Sequence, residues 1–206
     1  MPQSKEQASA TRRAFLCLTA STASGLVLGC SSTPDVVVPE IPPVPLPDDS
    51  PAKQFLGTYR FTGGEAERIA VNRAIDATVA DMNGLIRGIA RDKLAEANIV
   101  PVEISMVGGG NLLAVVVDRR PYVGRIDGIA MKVKTVTGDV MDMRYQLPQS
   151  TGAPPPPPQM EQVFYDNEKG RVNRFELRGA QLIMHVRVHA TQLPRELLYY
   201  LTYEKV

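Results

Sequence analysis

From position 101 to the C-terminus, apolar and polar residues alternate with a period of two, the spacing that puts successive side chains on opposite faces of a strand. The alternating runs cover 102–106, 112–117, 129–136, 140–147, 160–165, 171–177, 182–189 and 197–204. Gly108-Gly109-Gly110-Asn111, Thr137-Gly138-Asp139 and Asp166-Asn167-Glu168-Lys169-Gly170 are connections of hairpin length, so neighbouring runs pair antiparallel in sequence order. One more strand, Phe55-Leu56-Gly57-Thr58-Tyr59-Arg60-Phe61, precedes them. The pattern predicts a mainly β domain with a helical insert (α+β), an antiparallel up-and-down meander of about nine strands. A meander of that length curls, and closing it into a barrel removes its edges. The alternative is an open antiparallel sheet with the helices packed across one face.

The helical insert follows the first strand. Within 65–97, Ile75, Val79, Met82, Ile86 and Ile89 recur at helical spacing and share one face, while Arg73, Asp76, Arg87 and Arg91 lie off it. A straight helix of this length would run roughly 50 Å, longer than the domain can cover. A break is expected near Asn83-Gly84 or Gly88, giving one broken helix or two short ones. Thr62-Gly63-Gly64-Glu65 fits a capping box, and Asn98 with Pro101 supplies the stop.

The first 29 residues have a different organisation. Positions 1–13 are polar and carry Lys5, Arg12 and Arg13; 14–28 are apolar, too short for the ~20 helical residues that span a bilayer. Cys30 stands where the apolar run stops. This is the layout of an export signal. Residues 30–53 contain Pro34, Pro39, Pro42, Pro43, Pro45, Pro47 and Pro51, a composition that favours extended polyproline II and an unpacked tether reaching roughly 70 Å. The chain therefore divides into a leader (1–29), a tether (30–53) and a single β-rich domain (54–206).

Composition narrows the function classes. The whole chain carries a net charge of +1; loss of 1–29 removes Lys5, Arg12, Arg13 and Glu6 and leaves it near −1. Nucleic-acid domains usually show a strong basic excess, so nucleic acid is not an expected partner. Cys17 leaves with the leader, and Cys30 is the only other cysteine, so no disulfide and no cysteine metal site is expected.

Two stretches of the leader resemble known signals. Thr11-Arg12-Arg13-Ala14-Phe15-Leu16 resembles the twin-arginine export motif, with Arg12 and Arg13 as its pair. Val27-Leu28-Gly29-Cys30 resembles the lipobox of bacterial lipoproteins. That resemblance implies diacylglycerol on the Cys30 sulfur, cleavage before Cys30 and acylation of the new amino group with palmitate-type chains. Membrane lipid, through Cys30, is then the implied partner. The implied location is the periplasmic face of the cell envelope, with Ser31 favouring the outer membrane over the inner.

The domain resembles the calycin group, the lipocalins and fatty-acid-binding proteins. Those begin with a strand carrying glycine before an aromatic, as Gly57-Thr58-Tyr59 does here; in the fatty-acid-binding branch a helical pair follows, and the last strand has the form R-x-Y-x-K. Tyr200-Leu201-Thr202-Tyr203-Glu204-Lys205 occupies that slot, with Leu201 in place of the arginine and Tyr203 matching. The resemblance implies a barrel that holds a small hydrophobic ligand.

Candidate chemistry is sparse. His185 and His189 lie about 13 Å apart on one strand face with Arg187 between them, which suits a solvated face better than a metal site. The Gly108–110 run lacks the Lys-Ser/Thr of a phosphate loop. Pro154, Pro155, Pro156, Pro157 and Pro158 stiffen a loop that cannot join a central strand. Arg87 and Arg91, one helical turn apart, point the same way and with Tyr203 are the candidate ligand-binding residues. No catalytic constellation, metal site or cofactor motif stands out, so no enzyme activity and no cofactor is expected. The expectation is a lipid-anchored envelope protein that binds a small apolar ligand; the alternative is an interaction or structural lipoprotein without a ligand.

Overall fold

The computed structural model describes residues 36–148 and 156–206. Within them ten strands form one antiparallel sheet: β1 Gly57–Phe61, β2 Glu103–Gly109, β3 Leu112–Val117, β4 Arg120–Arg125, β5 Met131–Lys134, β6 Val140–Gln146, β7 Gln159–Tyr165, β8 Lys169–Arg178, β9 Gln181–Ala190 and β10 Leu197–Lys205. Spatial order is β4-β3-β2-β1-β10-β9-β8-β7-β6-β5, so the first strand pairs with the last and every other pairing joins neighbours in sequence. The two end strands, β4 and β5, turn toward each other. Arg120 Nη1 of β4 donates to the Thr135 carbonyl beyond β5 (2.9 Å), and the Tyr145 hydroxyl of β6 donates to the Tyr122 carbonyl of β4 (2.6 Å). Among the described residues no ladder joins them, so the barrel is nearly closed along a β4–β5 seam.

Ten strands replace the expected nine because β4 escaped the pattern. The β3–β4 turn is Asp118-Arg119, both at positive φ (44° and 72°), where glycine or asparagine would have announced a hairpin. Pro121 also interrupts the run, and it is tolerated because β4 ends the sheet.

Two helices, α1 Gly64–Val79 and α2 Gly84–Ala97, sit between β1 and β2. The break falls at the expected Asn83-Gly84, where the Asn83 side chain caps α2 by accepting from Leu85 N (3.2 Å). The capping box at α1 does not form. Thr62 Oγ1 turns to the Thr202 carbonyl (3.4 Å), and Glu67, not Glu65, fastens the helix by accepting from Thr202 N (2.8 Å) and Thr202 Oγ1 (2.7 Å). The break also ends the shared apolar face. Ile75 and Val79 are buried, whereas Ile86 and Ile89 on α2 are 55% and 44% exposed.

From Val36 onward parts of the tether lie against the barrel, while Val37, Val38 and Val44 stay exposed. Val44 accepts from Gly110 N (2.8 Å), Leu46 is 3% exposed, and a 3₁₀ turn at Pro51–Phe55 adds Ala52 and Phe55, both 0% exposed, to the core. Phe55 therefore lies outside β1, and its carbonyl accepts from the Tyr59 hydroxyl (2.9 Å). The tether explains the glycine run. A Cβ on Gly109 would lie 2.2 Å from the Pro42 carbonyl oxygen, and one on Gly108 2.9 Å from Leu46 Cδ1. Gly109→Val is expected to expel 42–46 from the barrel. The lost burial of Leu46 should cost about 2 kcal/mol in urea unfolding, with faster proteolysis before Ala52 as the second readout.

Candidate functional site

The inward side chains of β1–β10 decide what the barrel can hold. Tyr59, Met106, Leu113, Met143, Tyr145, Met160, Phe175, Leu182, Leu201 and Tyr203 fill its axis at 0–1% exposure. Methionine, unbranched and soft, fills the irregular gaps between the larger rings.

One end of this interior is polar. Phe175 and Leu177 set the inward phase of β8, and Asn173 and Arg171 fall on that face, paired with Gln162 and Phe164 of β7. The half-buried Arg171 guanidinium donates from Nε to Asn173 Oδ1 (2.7 Å), from Nη1 to the Ala97 carbonyl (3.1 Å) and Asn98 Oδ1 (2.8 Å), and from Nη2 to the Tyr199 hydroxyl (3.3 Å). Every acceptor is neutral. Asn98 is itself held at the end of α2, donating Nδ2 to the Leu94 carbonyl (2.8 Å) and accepting from Tyr199 (2.9 Å). The chain of bonds continues inward from Asn173 Nδ2 to Gln162 Oε1 (2.9 Å) and from Gln162 Nε2 to the Tyr145 hydroxyl (3.3 Å). That hydroxyl also accepts from Val115 N (3.1 Å) and donates to the Tyr122 carbonyl, so it bridges β3 and β4. Burial pushes its pKa far above the usual phenol value, so it stays protonated.

The candidate residues of the sequence are not gathered in this cluster. Arg91 on α2 pairs with Asp76 of α1 (2.7 Å), and Arg87 Nη1 reaches the Ala80 carbonyl (3.5 Å); both are exposed. Tyr203 is 0% exposed and donates to the Pro101 carbonyl (3.3 Å). Cys30, Arg12 and Arg13 lie outside the described residues, as do Pro154 and Pro155. Arg171 went unassigned in the sequence, although one signal was there: two polar residues, Arg171 and Asn173, in phase with Phe175 and Leu177.

His185, Arg187 and His189 lie on the outer face. Arg187 and His189 are exposed, and Arg187 holds Glu196 through two bonds (2.9 and 2.7 Å). His185 is not solvated as expected: its Nε2 is buried without a partner, 3.8 Å from Glu176. Burial, with Arg174 and then Arg178 nearby, lowers its pKa against the opposing pull of Glu176. A depressed folded-state pKa favours the neutral ring. Stability should therefore be full above about pH 6.5 and decline as pH falls below it. His185→Gln should flatten that decline in thermal melts taken between pH 7 and pH 5.

No family model matches the chain, and no curated protein matches it. Among solved structures, a fatty acid transporter, REP1-NXSQ, is 11% identical, with 75% of this chain and 97% of that chain covered and a TM-score of 0.46. A Schistosoma mansoni fatty acid binding protein in complex with arachidonic acid is 12% identical over 76% of this chain and 99% of its own, with a TM-score of 0.42. A luciferase domain from the dinoflagellate Lingulodinium polyedrum is 15% identical over 82% and 45%, with a TM-score of 0.44. The fold class itself, a nearly closed antiparallel barrel with two helices, stands on the strand order.

Proposed function

We propose that this chain is a lipid-anchored protein of the bacterial cell envelope whose barrel is a non-enzymatic interaction and structural module. The filled barrel axis carries the second half of that reading, because a carrier needs an apolar cavity with a few polar anchors, and here large side chains occupy the space at 0–1% exposure. The lipobox-like Val27-Leu28-Gly29-Cys30 and the twin-arginine-like Arg12-Arg13 support the first half, with the periplasmic face and the outer membrane as the location. Intact mass of the membrane-extracted protein should correspond to residues 30–206 plus a diacylglycerol and an acyl chain; an unacylated chain overturns the anchor. Native mass spectrometry of the same protein should show no bound organic molecule, and a stoichiometric lipid overturns the ligand-free module.

Arg171 favours a second reading. A half-buried cation inside a barrel, bonded only to neutral groups, is electrostatically costly and suits an anionic head group. The soft methionine interior would then yield to an apolar tail entering beneath α2. In that case a fluorescent fatty-acid probe binds, and Arg171→Leu weakens it on the order of tenfold or more, the worth of a charge-assisted bond.

A further inference from the structure

The proline-rich segment lies along the barrel, and its path decides which face a lipid anchor holds nearest the bilayer. Residues 42–46 run beside the β2–β3 hairpin, fixed by the Gly110–Val44 hydrogen bond and the buried Leu46. Further toward the N-terminus the chain reaches the β4–β5 seam, where Val36 and Pro39 line a groove of ≈ 440 Å³ together with Pro121, Val123 and Val133. Only six peptide steps join Cys30 to Val36, a span of at most about 20 Å. A free tether of the same composition would have allowed roughly 70 Å.

The surface held that close to the anchor is amphipathic. Val37, Val38 and Val136 project from it, 85%, 54% and 52% exposed. Arg120, Lys132 and Lys134 rim the groove and are exposed. Lys132 shares its charge with Asp142 (2.8 Å). Arg120 spends one donor on the Thr135 carbonyl, and among the described residues neither it nor Lys134 pairs with a carboxylate. Of the nearby acids, Asp139 is taken by Lys169 (2.6 Å), and Glu40 is exposed beside Pro39. Cations around protruding apolar side chains are the composition of a surface that rests on anionic lipid, the apolar groups entering the interface while the charges meet phosphates.

We infer that the β4–β5 seam is a bilayer-contact face, with Arg120, Lys132 and Lys134 meeting anionic phospholipid headgroups and Val37 and Val38 entering the interface. The inference rests on acylation at Cys30 for its biological setting, but the seam can be tested without it. Residues 30–206 carrying Cys30→Ser should float with vesicles of 30% phosphatidylglycerol in phosphatidylcholine and not with pure phosphatidylcholine. Binding should fall several-fold between 0.05 and 0.5 M salt. Arg120→Gln with Lys134→Gln should weaken it on the order of 25-fold, about fivefold for each charge removed. Val37→Asp should weaken it too, whereas Arg73→Glu on the outer side of α1 should leave it unchanged. All are exposed positions, but Arg120 also gives up its bond to the Thr135 carbonyl, so melting temperatures check that each variant is folded. Equal binding to both vesicle types, or an equal loss from Arg73→Glu, overturns the seam. An acylated native protein whose seam does not bind overturns this inference alone, and a binding seam on an unacylated native protein overturns the anchor alone.

Discussion

Tyr145→Phe is expected to destabilise the domain by about 3 kcal/mol, although it removes one oxygen atom and changes the shape of the side chain very little. The hydroxyl sits at 0% exposure and satisfies three buried groups at once: Val115 N–H, the Tyr122 carbonyl and the Gln162 amide. Removing it leaves them facing a phenyl edge, and each buried polar group without a partner costs about 1–3 kcal/mol. Gln162, itself 0% exposed, can recover only by swinging away from Asn173 and loosening Arg171 behind it. Urea unfolding measures the loss, and the melting temperature should drop by roughly 10 °C for a domain of this size. A cost under about 0.5 kcal/mol would mean that the hydroxyl bridges nothing of consequence. Gln162→Leu made in the same background should then cost less than it does in the parent, because neighbours in one network are not additive.

Phe55→Ala should cost about 3–5 kcal/mol, the range for emptying a fully buried aromatic site. Phe55 joins the core from outside the sheet, on the 3₁₀ turn before β1, and its carbonyl anchors the Tyr59 hydroxyl. The turn is only five residues long, so the vacated space should remain partly open rather than collapse. The variant is therefore also expected to bind small apolar fluorescent probes that the parent excludes. A loss below about 1 kcal/mol with no probe binding would show that the core closes without this segment and that the tether is only draped on it.

How much of this could be read from the chain depended on how local the signal was. The period-two alternation predicted eight strands after the helices; seven match closely, and the 129–136 run shortens to Met131–Lys134 because the flanking Ile129 and Val136 are exposed. Their hairpin connections follow from turn residues a few positions long. Asn83-Gly84 announced the helix break because an amide cap and a glycine start are written in adjacent residues. β4 was hidden because Arg119 takes a backbone conformation usually left to glycine, and Pro121 is tolerated only since nothing pairs beyond that strand. The capping box failed because Thr202, far away in sequence, takes the Thr62 hydroxyl and binds Glu67 rather than Glu65. Arg171 was visible as a polar residue in an apolar phase, but its partners Asn98 and Tyr199 come from a helix end and the last strand.

The sequence by itself determined the fold class, the antiparallel succession of all strands but β4 and the break between the two helices, because each is encoded in a periodicity or motif within a few residues. Only the tertiary structure decided that the barrel axis is filled, that a cation lies at its polar end without a carboxylate, and that the proline-rich segment lies on the barrel. Those outcomes depend on which side chains meet across the closed sheet. Proline composition favours an extended chain but not where that chain lies. The space left by Gly108 and Gly109 sets the place for Pro42 and Leu46, and that complementarity exists only once β2 and β3 are side by side.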